Sequence, residues 1–245
     1  MLGAVVFDLD GVILDSEQQW DAVRRSVVAE HGGVWHDGAT SEMQGMSSPE
    51  WSGYMHDQLA VPLPAEAIVR LVVAELLARY ERKLPLLPGA LEAVRLAGLQ
   101  WPLGLASSSN RIVIDRVLDL SGLAGAFDVT VSSEEVARGK PFPDVYLAAA
   151  AALGVAPEDC AAIEDSVNGI RSAVAARMHV AVVPNPHFPP PDDVLKRADL
   201  VLATLHELTV EALERIGGME GYLDEEEVES FPASDPHSEW AGPSS

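Results

Sequence analysis

Residues 4–11 read AVVFDLDG, a short apolar run that ends in two aspartates and a glycine. A run of this length before a turn signal predicts a buried strand rather than a helix. Similar apolar runs recur at 102–106, 127–131, 160–163 and 180–183, and segments with helical spacing lie between them. Strands that alternate with helices predict an α/β fold built on a Rossmann-like parallel sheet.

One segment interrupts this alternation directly after the first strand. Residues 16–83 contain no strand-like run, and helical patterns occupy 18–30, 49–59 and 64–82. We therefore expect an inserted α-helical cap at 16–83. The core would then comprise 1–15 and 84–218, and an insertion with two chain crossings can move as a lid.

Composition and charge exclude several classes of protein. The 245 residues carry 16 basic and 38 acidic side chains, for a net charge of −22, which repels nucleic-acid phosphates. The single cysteine argues against a disulfide scaffold, and polar residues interrupt every long apolar run, so we expect a cytoplasmic protein with no membrane segment. Residues 219–245 hold eight acids and no Lys or Arg, which predicts a disordered tail.

Two pairs of acidic residues follow predicted strands. Asp8 and Asp10 end the first strand, where one carboxylate could attack a substrate while the other donates a proton, although such a pair is also typical of a solvated turn. Glu164 and Asp165 end a later strand at the same predicted edge of the sheet, although Asp165 or Ser166 before a predicted helix is also typical of a helix cap. Clustered carboxylates repel one another and supply oxygen ligands, which favours the binding of a hard divalent cation, Mg²⁺.

Two further stretches could bind an anion. The run from Ser107 through Ser108 and Ser109 to Asn110 places hydroxyl and backbone N–H groups at a strand-to-helix junction. Lys140 lies between Gly139 and prolines before a predicted helix. Although a single lysine is usually a solvated surface charge, in a chain so poor in bases it is a candidate for neutralising a phosphate.

Together these motifs resemble the haloacid-dehalogenase superfamily, in its branch of sugar-phosphate phosphatases and β-phosphoglucomutases. The resemblance extends over residues 3 to 215, and the helical insertion lies where this family carries its cap. The motifs stand in the family's order: Asp8-x-Asp10-Gly11, Ser107, Lys140-Pro141-x-Pro143-Asp144 and Glu164-Asp165-Ser166-x-Asn168-Gly169.

The resemblance implies a two-step reaction on a small phosphate ester. Asp8 would attack phosphorus to form an aspartyl-phosphate, and Asp10 would protonate the leaving group and then activate water. Ser107 and Lys140 would bind the transferring phosphoryl group. The implied Mg²⁺ ligands are the Asp8 carboxylate, the Asp10 backbone carbonyl, Asp165 and, directly or through water, Glu164.

Two departures from the family pattern favour a phosphatase over a mutase. β-Phosphoglucomutases typically carry a histidine where this chain has Trp20, and an arginine where it has Ser48. A tryptophan cannot relay protons, although an aromatic residue on a helix commonly serves only in packing. A mutase thus stays an alternative, and a regulatory protein without turnover is a lesser one.

Substrate selection is expected from the cap, since the core contacts only the phosphoryl group and the metal. Glu17 could accept hydrogen bonds from sugar hydroxyls, although the helix dipole also favours a glutamate in a first turn. A monomer is expected. The candidate contacts with the leaving group are Glu17, Trp20, Gly45, Met46, Ser47, Ser108, Ser109 and Asn110.

Overall fold

The computed structural model describes residues 1–43, 46–186 and 188–218. Its centre is a six-stranded, fully parallel sheet in the order β3-β2-β1-β4-β5-β6. The predicted α/β fold with a Rossmann-like parallel sheet is confirmed. The strands are β1 Ala4–Phe7, β2 Leu103–Ser107, β3 Val129–Ser132, β4 Cys160–Glu164, β5 His179–Val182 and β6 Leu200–Val201.

Helices connect the strands and fill the segment after β1. In the predicted cap segment they are α1 Glu17–Glu30, α2 Ala39–Met43, α3 Ser48–Asp57 and α4 Ala65–Arg82. Those that follow are α5 Ala90–Gly98, α6 Arg111–Ser121, α7 Asp144–Leu153, α8 Val167–Ala175, α9 Asp192–Leu195 and α10 Val210–Gly217. No described helix is long and apolar enough to cross a membrane.

Strand β1 is central because both of its faces are covered. All four of its residues are fully buried, which explains why the run is apolar throughout instead of alternating. Phe7 lies opposite Leu105 of β2 and Ile163 of β4, and the Asp8 N–H donates to the Ile163 carbonyl over 3.0 Å. This register places Asp8 level with Glu164.

The chain leaves and re-enters the sheet at neighbouring points. The Asp15 N–H donates to the Pro85 carbonyl over 2.8 Å, and the Leu87 N–H donates to the Ile13 carbonyl over 2.9 Å. The two crossings around α1–α4 are therefore tied together by backbone hydrogen bonds. This pairing is consistent with the predicted insertion at 16–83, although the division into core and cap stays a prediction.

Four short elements were not expected from the sequence. Strand β6 has two residues, α9 has four, α2 has five and α10 has eight, so each offers few residues to a search for periodicity. Strand β1 also ends at Phe7, before the two aspartates. The predicted acidic tail, 219–245, lies outside the described residues.

Candidate active site

A cavity opens at the carboxyl edge of the sheet, where β1, β2 and β4 end beneath α1 and α3. Ligands of open α/β sheets bind at this edge. The core contributes Asp8, Asp10, Ser108, Ser109, Lys140, Asp165, Ser166 and Asn168, and the helical segment contributes Glu17, Trp20, Arg24, Met46, Ser48 and Trp51.

Lys140 connects two of the predicted site residues inside the protein. Its Nζ lies 2.7 Å from Asp8 Oδ1 and 2.6 Å from Glu164 Oε1, and all three side chains are buried. Burial lowers the pKa of Lys140, but the carboxylates of Asp8 and Glu164 raise it above its usual value. The predicted lysine is thus a buried cation beside Asp8 rather than a solvated surface charge.

Both oxygens of Glu164 are occupied by protein donors. Oε1 accepts from Lys140 and, over 2.6 Å, from the Tyr146 hydroxyl, while Oε2 accepts from the Asp165 N–H over 3.1 Å and the Ser166 hydroxyl over 3.2 Å. A Cβ at Gly169 would collide with this carboxylate, so only glycine fits there. These bonds favour Glu164 as the residue that holds Lys140, and its metal ligation stays a prediction.

Three carboxylates converge beside this ion pair. Oxygens of Asp8, Glu164 and Asp165 lie within 4.8 Å of one another. Burial raises the pKa of Asp8 to about 8, helped by Glu164 and Asp10 and opposed by Lys140. Burial and the charges of Glu164 and Asp8 likewise raise the pKa of Asp165. The three carboxylates therefore outnumber the single cation of Lys140, and a bound metal cation would supply further positive charge.

The surroundings of Asp165 fit a divalent cation. Its Oδ1 is buried without a hydrogen-bond partner, and a Cβ at Gly11, which has φ of +84°, would collide with its carboxylate. A buried carboxylate oxygen without a partner costs free energy unless a ligand satisfies it. With hard oxygen donors in reach, a divalent cation is the matching ligand.

Asp10 faces the other way, toward the helical segment. Its Oδ1 accepts from Trp20 Nε1 over 3.1 Å, and its Oδ2 accepts from the Ser109 hydroxyl over 2.6 Å. The two aspartates therefore have different surroundings: Asp8 contacts Lys140 among the carboxylates, whereas Asp10 contacts neutral donors near the cavity. Such a separation suits two different roles in one reaction.

The serine-rich loop after β2 reaches the cavity only in part. Ser108 and Ser109 line it, whereas Ser107 is fully buried and accepts from the Ser109 N–H over 3.0 Å. Ser107 Oγ also lies 3.5 Å from Asp10 Oδ2. Asn110 is buried beside the cavity, where it accepts from Ser48 over 2.9 Å and donates to Glu134 over 2.6 Å. Asn110 thus links α3 to the core.

Only some of the substrate contacts predicted from the helical segment line the cavity. Glu17, Trp20 and Met46 line the cavity. Ser47 instead is the N-cap of α3, where its N–H donates to the Glu50 carboxylate over 2.7 Å, as expected of a capping box, and its hydroxyl also donates to Glu50 over 2.6 Å. Gly45 lies outside the described residues. The helix cap that the sequence offered as an alternative after Glu164 is confirmed for Ser166, whose side chain accepts from the Gly169 N–H at the start of α8.

Sequence reasoning missed two large side chains in the cavity wall. The Arg24 guanidinium carbon lies 5.1 Å from the ring centroids of both Trp20 and Trp51. Arg24 follows Trp20 by four residues, a spacing that places both on one face of α1 and could have signalled the pair. Burial lowers the pKa of Arg24 to about 10, and burial with the nearby Asp10 raises the pKa of Glu17 to about 7.

This fold and site define a hydrolase of the haloacid dehalogenase-like family, whose model matches residues 2–177. The chain belongs to that family. Among curated proteins it is 37% identical to hexitol phosphatase B of Escherichia coli (strain K12), over 222 residues that cover 86% of this chain and 96% of that protein.

Solved structures agree with this family assignment. A HAD family hydrolase from Deinococcus radiodurans R1, with bound phosphate and sodium, is 32% identical with a TM-score of 0.64 and covers 88% of this chain and 96% of its own. A β-phosphoglucomutase from Clostridium difficile gives a TM-score of 0.76 at 23% identity, covering 89% and 97%. This last likeness concerns the fold alone, so it does not decide between phosphatase and mutase.

Proposed function

We propose that this chain is a phosphatase that hydrolyses small phosphate esters, with sugar or polyol phosphates as its substrate class, through an aspartyl-phosphate. The observation that carries the proposal is the division between Asp8 and Asp10. Asp8 is buried against Lys140, while Asp10 faces the cavity and the helical segment. One carboxylate is thus placed to attack phosphorus and the other to exchange a proton with the leaving group.

In the first step Asp8 acts as the nucleophile. An Asp8 oxygen forms a bond to phosphorus as the ester P–O bond breaks, and protonated Asp10 donates its proton to the departing oxygen. Lys140, 2.7 Å from Asp8 Oδ1, neutralises charge that gathers on the phosphoryl group. Ser107 and the loop that it organises would supply further donors.

In the second step Asp10 acts as the base. It removes a proton from a water molecule whose oxygen attacks phosphorus, and the bond between phosphorus and Asp8 breaks to release inorganic phosphate. Asp10 thereby recovers the proton that it gave in the first step. The hydrogen bonds from Trp20 and Ser109 keep its carboxylate on the cavity side throughout.

The proposed cofactor is Mg²⁺. The Asp8 carboxylate, the Asp10 backbone carbonyl and Asp165 would hold it, and the unpartnered Asp165 Oδ1 supports this assignment. When bound, the cation would offset the charge of the carboxylates and of the phosphate ester. Glu164 would act through Lys140 or through a water molecule, because its own oxygens already accept hydrogen bonds from the protein.

The leaving group would contact the helical segment. Glu17 and Trp20 of α1 and Met46, which lies just before α3, line the cavity. A curated relative, hexitol phosphatase B, is named for a polyol substrate. Ser108 and Ser109 would approach from the core side. Ser47 and Asn110 do not line the described cavity, and Gly45 lies outside the described residues, so contacts from these three stay proposals.

A phosphosugar mutase is the second candidate, because the shared fold does not distinguish it from a phosphatase. Two contacts count against it. The Trp20 indole donates to Asp10 and has no lone pair with which to accept a proton, and the Ser48 hydroxyl is engaged with Asn110 instead of offering a cation to a second phosphate. Both features support transfer of the phosphoryl group to water.

Three broader proposals accompany the activity. We propose that the helical segment 16–83 is a movable cap, that the enzyme is a cytoplasmic monomer, and that it has no nucleic-acid partner. The net charge of −22 supports the lack of a nucleic-acid partner, and the free, buried Cys160 supports a reducing compartment. Sedimentation of the purified protein tests the oligomeric state.

The experiment is a phosphate-release screen across sugar, polyol, glycerol and nucleotide monophosphates, with and without Mg²⁺. Wild-type protein should release phosphate from sugar or polyol esters only with the metal, and Asp8→Asn should be inactive while remaining folded. Product analysis in the same incubation distinguishes the mutase, which would interconvert phosphosugar isomers in the presence of a bisphosphate. Turnover retained by Asp8→Asn would exclude Asp8 as the nucleophile.

A further inference from the structure

Arg24 is a buried cation in the wall of the candidate active site. It lies on α1, is 8% exposed and lines the cavity beside Glu17. Its guanidinium carbon lies 5.1 Å from the ring centroids of both Trp20 and Trp51, which are 6.1 Å from each other. Contact with two aromatic rings restricts the rotamers of an arginine.

The guanidinium has no carboxylate at ion-pair distance in the part of the chain that the structure describes. No salt bridge there includes Arg24, and its Nε is buried without a hydrogen-bond partner. A buried donor without a partner costs free energy comparable to a lost hydrogen bond, and more when it is charged. A buried, unsatisfied donor on a residue that lines a cavity points to a ligand that satisfies it.

Glu17 supplies the complementary acceptor. It lies seven residues before Arg24 on α1, two helical turns away along one face, and both side chains line the cavity. Among nearby charges, Glu17 raises the pKa of Arg24 most. The Glu17 carboxylate and the Arg24 guanidinium are nevertheless not within ion-pair distance. One wall thus presents a donor and an acceptor that stand apart.

We propose that Arg24 and Glu17 form a specificity subsite that binds hydroxyl groups of the leaving group, with Trp20 and Trp51 as its apolar walls. This inference rests on the proposed function. Each hydroxyl group both donates and accepts, so neighbouring hydroxyls can satisfy the arginine and the glutamate together. The indole faces would cover the C–H surface of the same carbon chain.

Charge favours a neutral, hydroxyl-rich leaving group over one with a second anion. A second phosphate or a carboxylate would be attracted by Arg24 but repelled by Glu17 and Asp10 in the same cavity. The opposite charges of Arg24 and Glu17 offset each other toward a neutral polyol. The subsite therefore selects a polyol monophosphate against a bisphosphate.

The test compares Arg24→Gln and Glu17→Gln on three probes: a hexitol monophosphate, methyl phosphate and a hexose bisphosphate. Both variants should lower kcat/KM for the hexitol ester by about 10- to 100-fold, as expected for a hydrogen bond to a charged group. Hydrolysis of methyl phosphate, which has no hydroxyl to bind, should change less than about twofold by comparison. Arg25→Gln is the matched control, since Arg25 bonds Asp21 and Thr40 and does not line the cavity.

Several outcomes would overturn the inference. If both variants keep the wild-type ratio of hexitol phosphate to methyl phosphate hydrolysis, whether neither rate falls or both fall equally, the subsite is excluded. Faster bisphosphate hydrolysis by Glu17→Gln, with hexitol phosphate unaffected, would indicate an anion subsite instead. If Arg24→Gln does not fold, Glu17→Gln carries the comparison alone. Wild-type protein without activity on any ester would instead defeat the proposed function.

Discussion

Trp20 Nε1 donates a hydrogen bond to Asp10 Oδ1 over 3.1 Å, and so joins helix α1 to the loop that carries the proposed proton-transfer residue. On the other side Asp10 Oδ2 accepts from Ser109. The position of this carboxylate is thus set jointly by α1 and by the loop after β2. A displacement of α1 would break one of the two bonds that orient it.

Trp20→Phe tests this link. The substitution keeps an aromatic ring beside Arg24 and Trp51 but removes the donor to Asp10, so kcat should fall about tenfold, as for loss of one hydrogen bond to a charged group. Steady-state kinetics on a polyol phosphate measure the effect. Tyr54→Phe is the control, because its hydroxyl bonds Glu42 and His36 away from the cavity and its loss should leave kcat unchanged. A fully active Trp20→Phe would contradict a positioning role.

Lys140→Met should damage both activity and stability. Its loss leaves Asp8 and Glu164 without their counter-charge in a buried site, which costs about 3–5 kcal/mol when one partner of a buried pair is removed. Phosphate release should fall about 100-fold or more, since a charge-stabilising group is missing. Denaturant unfolding and a phosphate assay measure the two effects.

Arg138→Met is the matched control for that substitution. Arg138 pairs with Asp144 over 2.9 Å, but its side chain is 50% exposed, so its loss should cost no more than about 1 kcal/mol. Equal destabilisation by the two variants would show that the buried cluster does not depend on Lys140.

Mg²⁺ should stabilise the folded protein, and Asp165 should carry much of the effect. A ligand at about 100 times its dissociation constant adds about 2.7 kcal/mol to the free energy of unfolding. Thermal melts with increasing Mg²⁺ measure this shift in wild-type protein after treatment with a chelator. Asp165→Asn, which removes the charge beside the unpartnered oxygen, should flatten the titration. An undiminished shift in that variant would place the cation elsewhere.

Glu17→Gln should change how stability depends on pH. Burial raises the folded-state pKa of Glu17 to about 7, above its usual value, so its ionised form disfavours folding at alkaline pH. At pH 8 the free energy of unfolding of the variant should therefore be roughly 1–3 kcal/mol higher than that of wild type. This difference should vanish as the pH falls to about 4. Urea unfolding across that range measures it. A difference that grows toward low pH would contradict the assigned direction.

The convergence of three carboxylates could be predicted from the sequence because they stand at strand ends. Asp8, Glu164 and Asp165 follow buried apolar runs whose parallel pairing forces their ends together. Lys140 was harder, since only tertiary structure shows that a loop residue is buried between two carboxylates.

The cavity wall from the helical segment was predicted less completely. Trp20 and Glu17 were expected there, but Arg24 and Trp51 were missed, because helical periodicity marks a face without telling which neighbour covers it. Ser47 was expected to contact substrate and instead caps α3. Local sequence does not decide whether a serine bonds the helix end or a ligand.

The central claim is that Asp8 becomes phosphorylated during turnover. The most direct test is to quench the enzyme in acid during hydrolysis of a polyol phosphate and to map the modified peptide by mass spectrometry. We predict one added phosphoryl group on Asp8 of the peptide that contains residues 4–11, sensitive to hydroxylamine and absent from Asp8→Asn. Full turnover with no phosphorylated Asp8, or with the group on another residue, would contradict the account.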